Sequence, residues 1–387
     1  MTVSEQAVIT EFLTLDQFEV AEGITLQSPQ VAYEVYGELN EDRSNAILLF
    51  HALSGSHHAM GINRGIAGNE FWTEELHEGW WNDFIGPGKG IDTDRFCVIA
   101  PNYLGGCYGS TGPSSPDPAT GQPYGSRFPH VTVGDQARFA ARLLDHFGID
   151  RLHAVVGPSV GGLCALTFAN LFPERTHKVV SVASSYKNTI LNRLLLFEQI
   201  LAIENDPYFN GGDYYDCGTP NLGLALARMI SHKTFVHIDA FERRAKREIV
   251  PEKEMLSWYG VTDPFQSYML HQGKKFTKRF DANTYLRIVD MWSSYNALRE
   301  AGLETAEELF AGSKREGHHF LVFSIDSDFC FYPEEQAELV SDLEKSGIPV
   351  THLTVHSDKG HDSFLLEPHL YVPQLKFHLE HDELPGS

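Results

Sequence analysis

The chain has 387 residues, 42% of them hydrophobic and 12% aromatic, too apolar for a disordered chain and long enough for one large core with an insertion or a small second domain. Its 30 Lys and Arg against 52 Asp and Glu leave a net charge of −22, the wrong sign for neutralising a phosphate backbone, which argues against nucleic acid and anionic membranes as partners. A small anionic substrate stays compatible, because a pocket needs only a few local cations or a helix N-terminus.

The first segment carries Glu5 and Glu11 without a basic n-region or a long apolar stretch, and no later run approaches the length of a membrane span. This predicts a soluble cytoplasmic protein. Five cysteines, Cys97, Cys107, Cys164, Cys217 and Cys330, are scattered with no Cys-x-x-Cys pair, which predicts reduced thiols rather than a disulfide framework or a zinc site. Short β-branched runs then alternate with helical stretches, the pattern of an α/β fold. Residues 46–50 (AILLF) and 96–100 (FCVIA) read as buried parallel strands, each followed by a loop rich in small residues. Residues 132–148 place Ala137, Ala140, Ala141, Leu144 and Phe147 at helical spacing and close on Gly148, and 152–156 (LHAVV) resume as strand.

Gly157-Pro158-Ser159-Val160-Gly161 follows directly and leads into a helical run, the strand–turn–helix context of a nucleophile elbow. A serine on so sharp a turn needs small neighbours two positions away on either side, and the helix N-terminus aims N–H groups at a reacting oxygen. Partners in the order Ser, Asp, His are then expected after later strands. Residues 320–325 (FLVFSI) precede Asp326 and Asp328, and 350–355 (VTHLTV) precede His361. Ser159, Asp328 and His361 are the candidate nucleophile, acid and base, with Asp326 a rival acid that spacing alone does not separate from Asp328. The adjacent pairs His57-His58 and His318-His319 lack metal-ligand spacing, so no metal is expected.

Several stretches resemble the homoserine O-acetyltransferase family of α/β-hydrolase-fold acyltransferases: His51-Ala-Leu-Ser-Gly-Ser, Gly79-Trp-Trp, the specific run from Asn102 to Ser115, Gly121 to Pro129, Phe280-Asp-Ala-Asn283 and Gly360-His-Asp-Ser-Phe364. The resemblance spans about Leu26 to Phe364. It implies a mostly parallel sheet flanked by helices, with an α/β-hydrolase core over 1–185 and 313–387 and a helical lid inserted over 186–312. It also implies ping-pong transfer of an acetyl group from acetyl-CoA, a co-substrate rather than a bound cofactor, to an amino-acid hydroxyl, L-homoserine first and L-serine second, in methionine or cysteine supply. The same residues are compatible with a plain esterase. The family's nucleophile, acid and base fall on Ser159, Asp328 and His361, its oxyanion-hole N–H donors on Leu53 and Val160, and its carboxylate for the acceptor's amino group on Asp362. Homodimers through the lid are implied as well.

Two departures bear on substrates. The family's lid arginine, expected in the stretch Ile200-Leu-Ala-Ile203, is absent, and Arg193, two helical turns earlier on roughly the same face, reads either as a substitute for holding the acceptor's carboxylate or as a surface charge. Succinyl-specific relatives resemble one another in an arginine two residues beyond the acid, where this chain has Cys330, which favours acetyl over succinyl. The elbow also carries Pro158 and Val160, a packing change. Lid helices are predicted over 191–204, 222–235, 267–273 and 282–298, and Lys274, Lys275, Lys278 and Arg279 form a basic cluster suited either to coenzyme A phosphates or to solvent.

Overall fold

The apolar runs read from the sequence become the inner strands of one eight-stranded sheet in the computed structural model, which describes residues 7–245, 256 and 258–381. The strands are β1 (Glu11–Thr14), β2 (Gln30–Tyr36), β3 (Ala46–Leu49), β4 (Cys97–Pro101), β5 (Leu152–Pro158), β6 (Thr176–Val182), β7 (His319–Ile325) and β8 (Val350–Val355). Their spatial order is β1-β2-β4-β3-β5-β6-β7-β8. β1 and β2 are antiparallel to their neighbours, and pairing is parallel from β4 onward. β4 starts at Cys97 because the Phe96 N–H is taken by the Asp92 carbonyl, 2.9 Å away, in the preceding turn.

Every residue of β3 and β4 is buried, and the alternation of the pleat splits them between two cores. Leu48, Ile99, Val155 and Val179 pack on one face with helices α1 (Val133–Phe147) and α2 (Val160–Leu171). Ile47, Val98, Val156 and Val180 pack on the other with Trp81, Phe84 and the C-terminal helix, where Leu375 and Leu379 close the core. α1 begins with a reciprocal capping box between Thr132 and Asp135 and ends on Gly148 in the left-handed conformation, the stop signal read from the sequence.

Between β6 and β7 the chain builds an inserted helical lid: α3 (Ile190–Glu204), α4 (Asn221–Phe235), α5 (Ile238–Ala245), α6 (Pro264–Phe276), α7 (Ala282–Ser294), α8 (Ala297–Ala301), α9 (Ala306–Leu309) and α10 (Ala311–Glu316). α6 is longer than predicted because Asp263 caps it and Pro264 sits at its first position. The stretch predicted as one helix over 282–298 breaks after Ser294, where Asn296 leaves helical geometry and caps α8 through the Arg299 N–H. The rest of the chain supplies α11 (Pro333–Lys345), α12 (Ser363–Leu366) and α13 (Val372–Glu380).

Buried polar groups fix the lid. The Asp281 carboxylate accepts the Tyr214 hydroxyl at 2.5 Å, the Tyr215 hydroxyl at 3.2 Å and the Thr284 N–H at 2.8 Å, while the Asn283 amide donates to the Gly212 carbonyl at 2.7 Å. The Phe280-Asp-Ala-Asn283 motif is thus a joint between α7 and the segment ahead of α4. Among the described residues no helix is long and apolar enough to cross a membrane. This architecture is that of an α/β-hydrolase fold with an inserted lid, and it brings the carboxyl ends of β3, β5, β7 and β8 to one edge.

Candidate active site

Three of those strand ends meet. Ser159 leaves β5 and enters α2 at φ +56° and ψ −129°, a conformation that costs a non-glycine residue about 1–3 kcal/mol. The glycines around it make the turn possible: a Cβ on Gly157 would lie 2.0 Å from the Gly161 carbonyl oxygen, and one on Gly161 would lie 2.5 Å from the Phe50 carbonyl oxygen. The second approach matters beyond sterics, because it seats the start of α2 directly against the exit of β3. Leu53, three residues past Phe50, and Val160, next to the serine, are both buried at this junction.

His361 lies in the turn after β8, and its Nε2 is 2.8 Å from Ser159 Oγ. Its Nδ1 is 2.6 Å from Asp328 Oδ2. The other oxygen of Asp328 accepts the backbone N–H groups of Cys330 at 2.7 Å and Phe331 at 2.9 Å, so with His361 three hydrogen bonds hold both oxygens and fix the carboxylate's orientation. The rings of Phe235, Phe331 and Phe364 stand 5.9, 5.6 and 5.2 Å from the imidazole, an apolar wall that limits water around it. Asp326, the rival acid, faces outward to His356 Nδ1 at 2.8 Å and to the Ser357 N–H.

The structure also brings in an arginine that the sequence reading passed over. Arg228, on α4, holds its guanidinium 5.3 Å from the ring centroid of Phe235 and 4.8 Å from that of Phe276. Desolvation lowers its pKa, the charge of Arg279 lowers it further, and Asp362 opposes both. Arg228 and Asp362, a cation and an anion, therefore lie within electrostatic reach of each other; Asp362 directly follows His361, and Phe235, under Arg228, neighbours the imidazole. Arg193, the substitute read from the sequence, is exposed on α3. The available signal was an arginine inside the apolar run Leu224-Ala-Leu-Ala-Arg228-Met-Ile230, whose neighbours Leu224 and Ala227 are buried.

The remaining candidates sort by environment. Cys330 is buried, and burial holds its thiol well above the usual range and neutral. The basic cluster divides: Lys275 pairs with Glu75 at 3.2 Å, Lys274 and Lys278 line a cavity of about 530 Å³ with Tyr214, Tyr215 and Asn221, and Arg279 turns towards the core. The histidine pairs are tied into hydrogen bonds. His58 Nδ1 lies 2.7 Å from Glu34, whose carboxylate also takes the Tyr36 hydroxyl and the Asn63 amide, and His318 Nε2 lies 2.8 Å from the Pro173 carbonyl oxygen.

Residues 45–368 match the family model described as alpha/beta hydrolase fold. The chain is 41% identical over 367 residues to homoserine O-succinyltransferase of Bordetella pertussis, covering 93% of this chain and 85% of that protein. It is 38% identical over 370 residues to homoserine O-acetyltransferase of Deferribacter desulfuricans, covering 93% and 92%. The crystal structure of homoserine O-acetyltransferase from Bacillus anthracis superposes with a TM-score of 0.86 at 28% identity, covering 97% of this chain and 98% of that one. The fold and these relatives together define a CoA-dependent O-acyltransferase of the α/β-hydrolase superfamily. Within that class the chain belongs to the homoserine O-acyltransferase family.

One buried carboxyl near the acid yields a pH test. Glu335, at the start of α11, accepts the Tyr332 N–H at 2.8 Å. Burial raises its pKa to about 7 against that hydrogen bond, and the Asp328 charge adds to the rise. A carboxyl raised from its ordinary 4.5 binds more protons folded than unfolded, so its contribution falls as pH rises from about 4.5 to 7 and then levels off. Glu335→Gln is expected to remove that component, up to about 3 kcal/mol at pH 8. Denaturant unfolding at pH 5 and pH 8 measures it; equal pH dependence in the variant and the parent would contradict the assignment.

Proposed function

We propose that the chain moves an acetyl group from acetyl-CoA to the hydroxyl of L-homoserine through an acetyl-Ser159 intermediate. The observation that carries this reading is the continuous Ser159–His361–Asp328 hydrogen-bonded chain, with Asp362 next to His361 in sequence and Arg228 over Phe235, whose ring neighbours the imidazole. Ser159 Oγ loses its proton to His361 Nε2 and attacks the thioester carbon, while Asp328 holds the Nδ1–H and stabilises the imidazolium. The tetrahedral oxyanion is received by the N–H groups of Leu53 and Val160, and the thiol of coenzyme A leaves with the proton from His361. His361 then takes the acceptor's hydroxyl proton, the alkoxide attacks the acetyl-serine, and the ester leaves with Ser159 reprotonated. The aromatic wall around His361 supports transfer over hydrolysis by limiting water.

Arg228 and Asp362 supply opposite charges to the two ends of an α-amino acid, the guanidinium for the carboxylate and the carboxylate for the ammonium group. A succinyl donor would bring a second carboxylate, and the position two residues beyond Asp328 offers it the neutral Cys330. This supports acetyl, although the Bordetella relative is named for succinyl transfer. The lid suits a homodimer: α3 exposes Ile190, Leu191, Leu194, Phe197 and Leu201, and α4 exposes Leu222 and Leu226.

Purified protein given acetyl-CoA is expected to release free thiol with L-homoserine, less with L-serine and little without an acceptor, and Ser159→Ala is expected to abolish release. Equal release in all tubes would make the protein a hydrolase, and release with succinyl-CoA alone would reverse the donor assignment. Arg228→Ala is expected to raise the KM for homoserine about 100-fold, the loss of one charge-assisted bidentate contact, with a smaller change in the KM for the donor. An unchanged acceptor KM would remove Arg228 from recognition. Light scattering is expected to give twice the chain mass for the parent protein and a shift to monomer for Phe197→Asp; a monomeric parent would refute the dimer.

A further inference from the structure

The oxyanion-hole loop is pinned by four carbonyls, and one of the pins comes from the lid. The Tyr103 hydroxyl donates to the His51 carbonyl, the Gly55 N–H to the Ala52 carbonyl at 3.0 Å, and Trp80 Nε1 to the Ser56 carbonyl at 2.9 Å. All three donors belong to the core or to the loop itself. The fourth carbonyl, that of Ser54, accepts Arg279 Nη1 at 3.1 Å, and Arg279 lies in the lid between α6 and α7. Ser54 directly follows Leu53, so only the φ and ψ of these two residues separate the Ser54 carbonyl from the peptide that carries the Leu53 N–H, and fixing the carbonyl narrows the range open to that peptide.

Arg279 is built in rather than draped over the surface. Its side chain is 15% exposed and its Nε lies 3.7 Å from Glu75. Its Nη1 also reaches the Tyr108 hydroxyl at 3.3 Å, and that hydroxyl donates in turn to the Arg279 carbonyl at 2.5 Å. The guanidinium sits 5.0 Å from the ring centroid of Phe276, which Arg228 approaches at 4.8 Å. Phe280 follows with an edge contact to Tyr108 at 5.8 Å. Side chain and backbone of one lid residue thus grip the core at two points, and a flexible phosphate-seeking cation would have neither.

We propose that Arg279 is a positioning residue for the oxyanion hole, a latch that holds the Ser54 carbonyl so that the Leu53 N–H is aimed at the reacting oxygen while the lid is seated. The inference rests on the assignment of Leu53 to the oxyanion hole made above. A donor displaced from the oxyanion loses most of its effect on the acylation step, where a single such donor is worth about 10²–10³ in rate. Binding of coenzyme A would be little affected, because the latch faces the protein and not the donor.

The test uses p-nitrophenyl acetate beside acetyl-CoA, since the aryl ester needs the oxyanion hole and carries no coenzyme A. Arg279→Met is expected to slow the release of p-nitrophenol on acylation of Ser159 by at least 10-fold, and to lower kcat with acetyl-CoA by a similar factor at nearly constant donor KM. Arg279→Lys, which keeps a donor for the Ser54 carbonyl, is expected to recover part of the loss. Tyr108→Phe, which leaves the guanidinium but loosens it, is expected to show a smaller loss and serves if Arg279→Met does not fold. Unchanged aryl-ester acylation with a raised donor KM would make Arg279 a coenzyme A contact and overturn the latch. Loss of both activities with no rescue by lysine, at a thermal midpoint well below the parent's, would make it a structural residue only. If the parent transfers no acyl group from any CoA thioester but is acylated by the aryl ester, the proposed function fails while the latch is still decided.

Discussion

The strained turn at Ser159 is the constraint from which the rest of the site follows. A serine held at φ +56° needs a strand on one side, a helix on the other and no Cβ at the crossing points, and the chain meets this with Gly157 and Gly161. The same missing Cβ at Gly161 lets the Phe50 carbonyl approach, which brings the loop after β3 against the N-terminus of α2. The elbow serine and the loop that carries Leu53 are therefore placed by one packing event. The energy stored in the turn is offset by the parallel pairing of β5 with β3 and β6 on either side.

The lid brings charged and aromatic side chains to the edge of the core. Its position rests on buried polar contacts, which are directional and leave little slack: Asp281 bonded by two tyrosine hydroxyls, Asn283 on the Gly212 carbonyl, Arg279 on the Ser54 carbonyl. Phe276 has both guanidiniums over its ring, Arg228 at 4.8 Å and Arg279 at 5.0 Å from the centroid, so the two arginines share a neighbour. Two cations held this close repel each other, and Asp362 and Glu75 supply the compensating charge.

Much of this was legible in the chain. The inner strands, α1 with its capping box and left-handed glycine, and the elbow follow from local rules of periodicity, capping and turn sterics, and the structure shows each within a residue or two of its expected place. The errors were local too. The helix over 282–298 ends early because a side-chain cap at Asn296 competes with helix continuation, and α6 runs long because Asp263 and Pro264 start a turn before the apolar pattern does.

The sequence by itself determined the elbow serine, the chain order in which an aspartate and a histidine join it, and the family, because a strained turn admits few residue types and long specific motifs admit few folds. Two similar choices lay beyond it. Asp328 and Asp326 stand two positions apart, and only the tertiary structure turns one towards His361 and the other towards His356. Arg193 and Arg228 both lie on lid helices, and only packing leaves the first in solvent and sets the second over Phe235 and Phe276. The reason is common to both cases: chemical type and local geometry are written in short stretches of chain, whereas the direction a charged side chain faces is set by groups distant in sequence that enclose it.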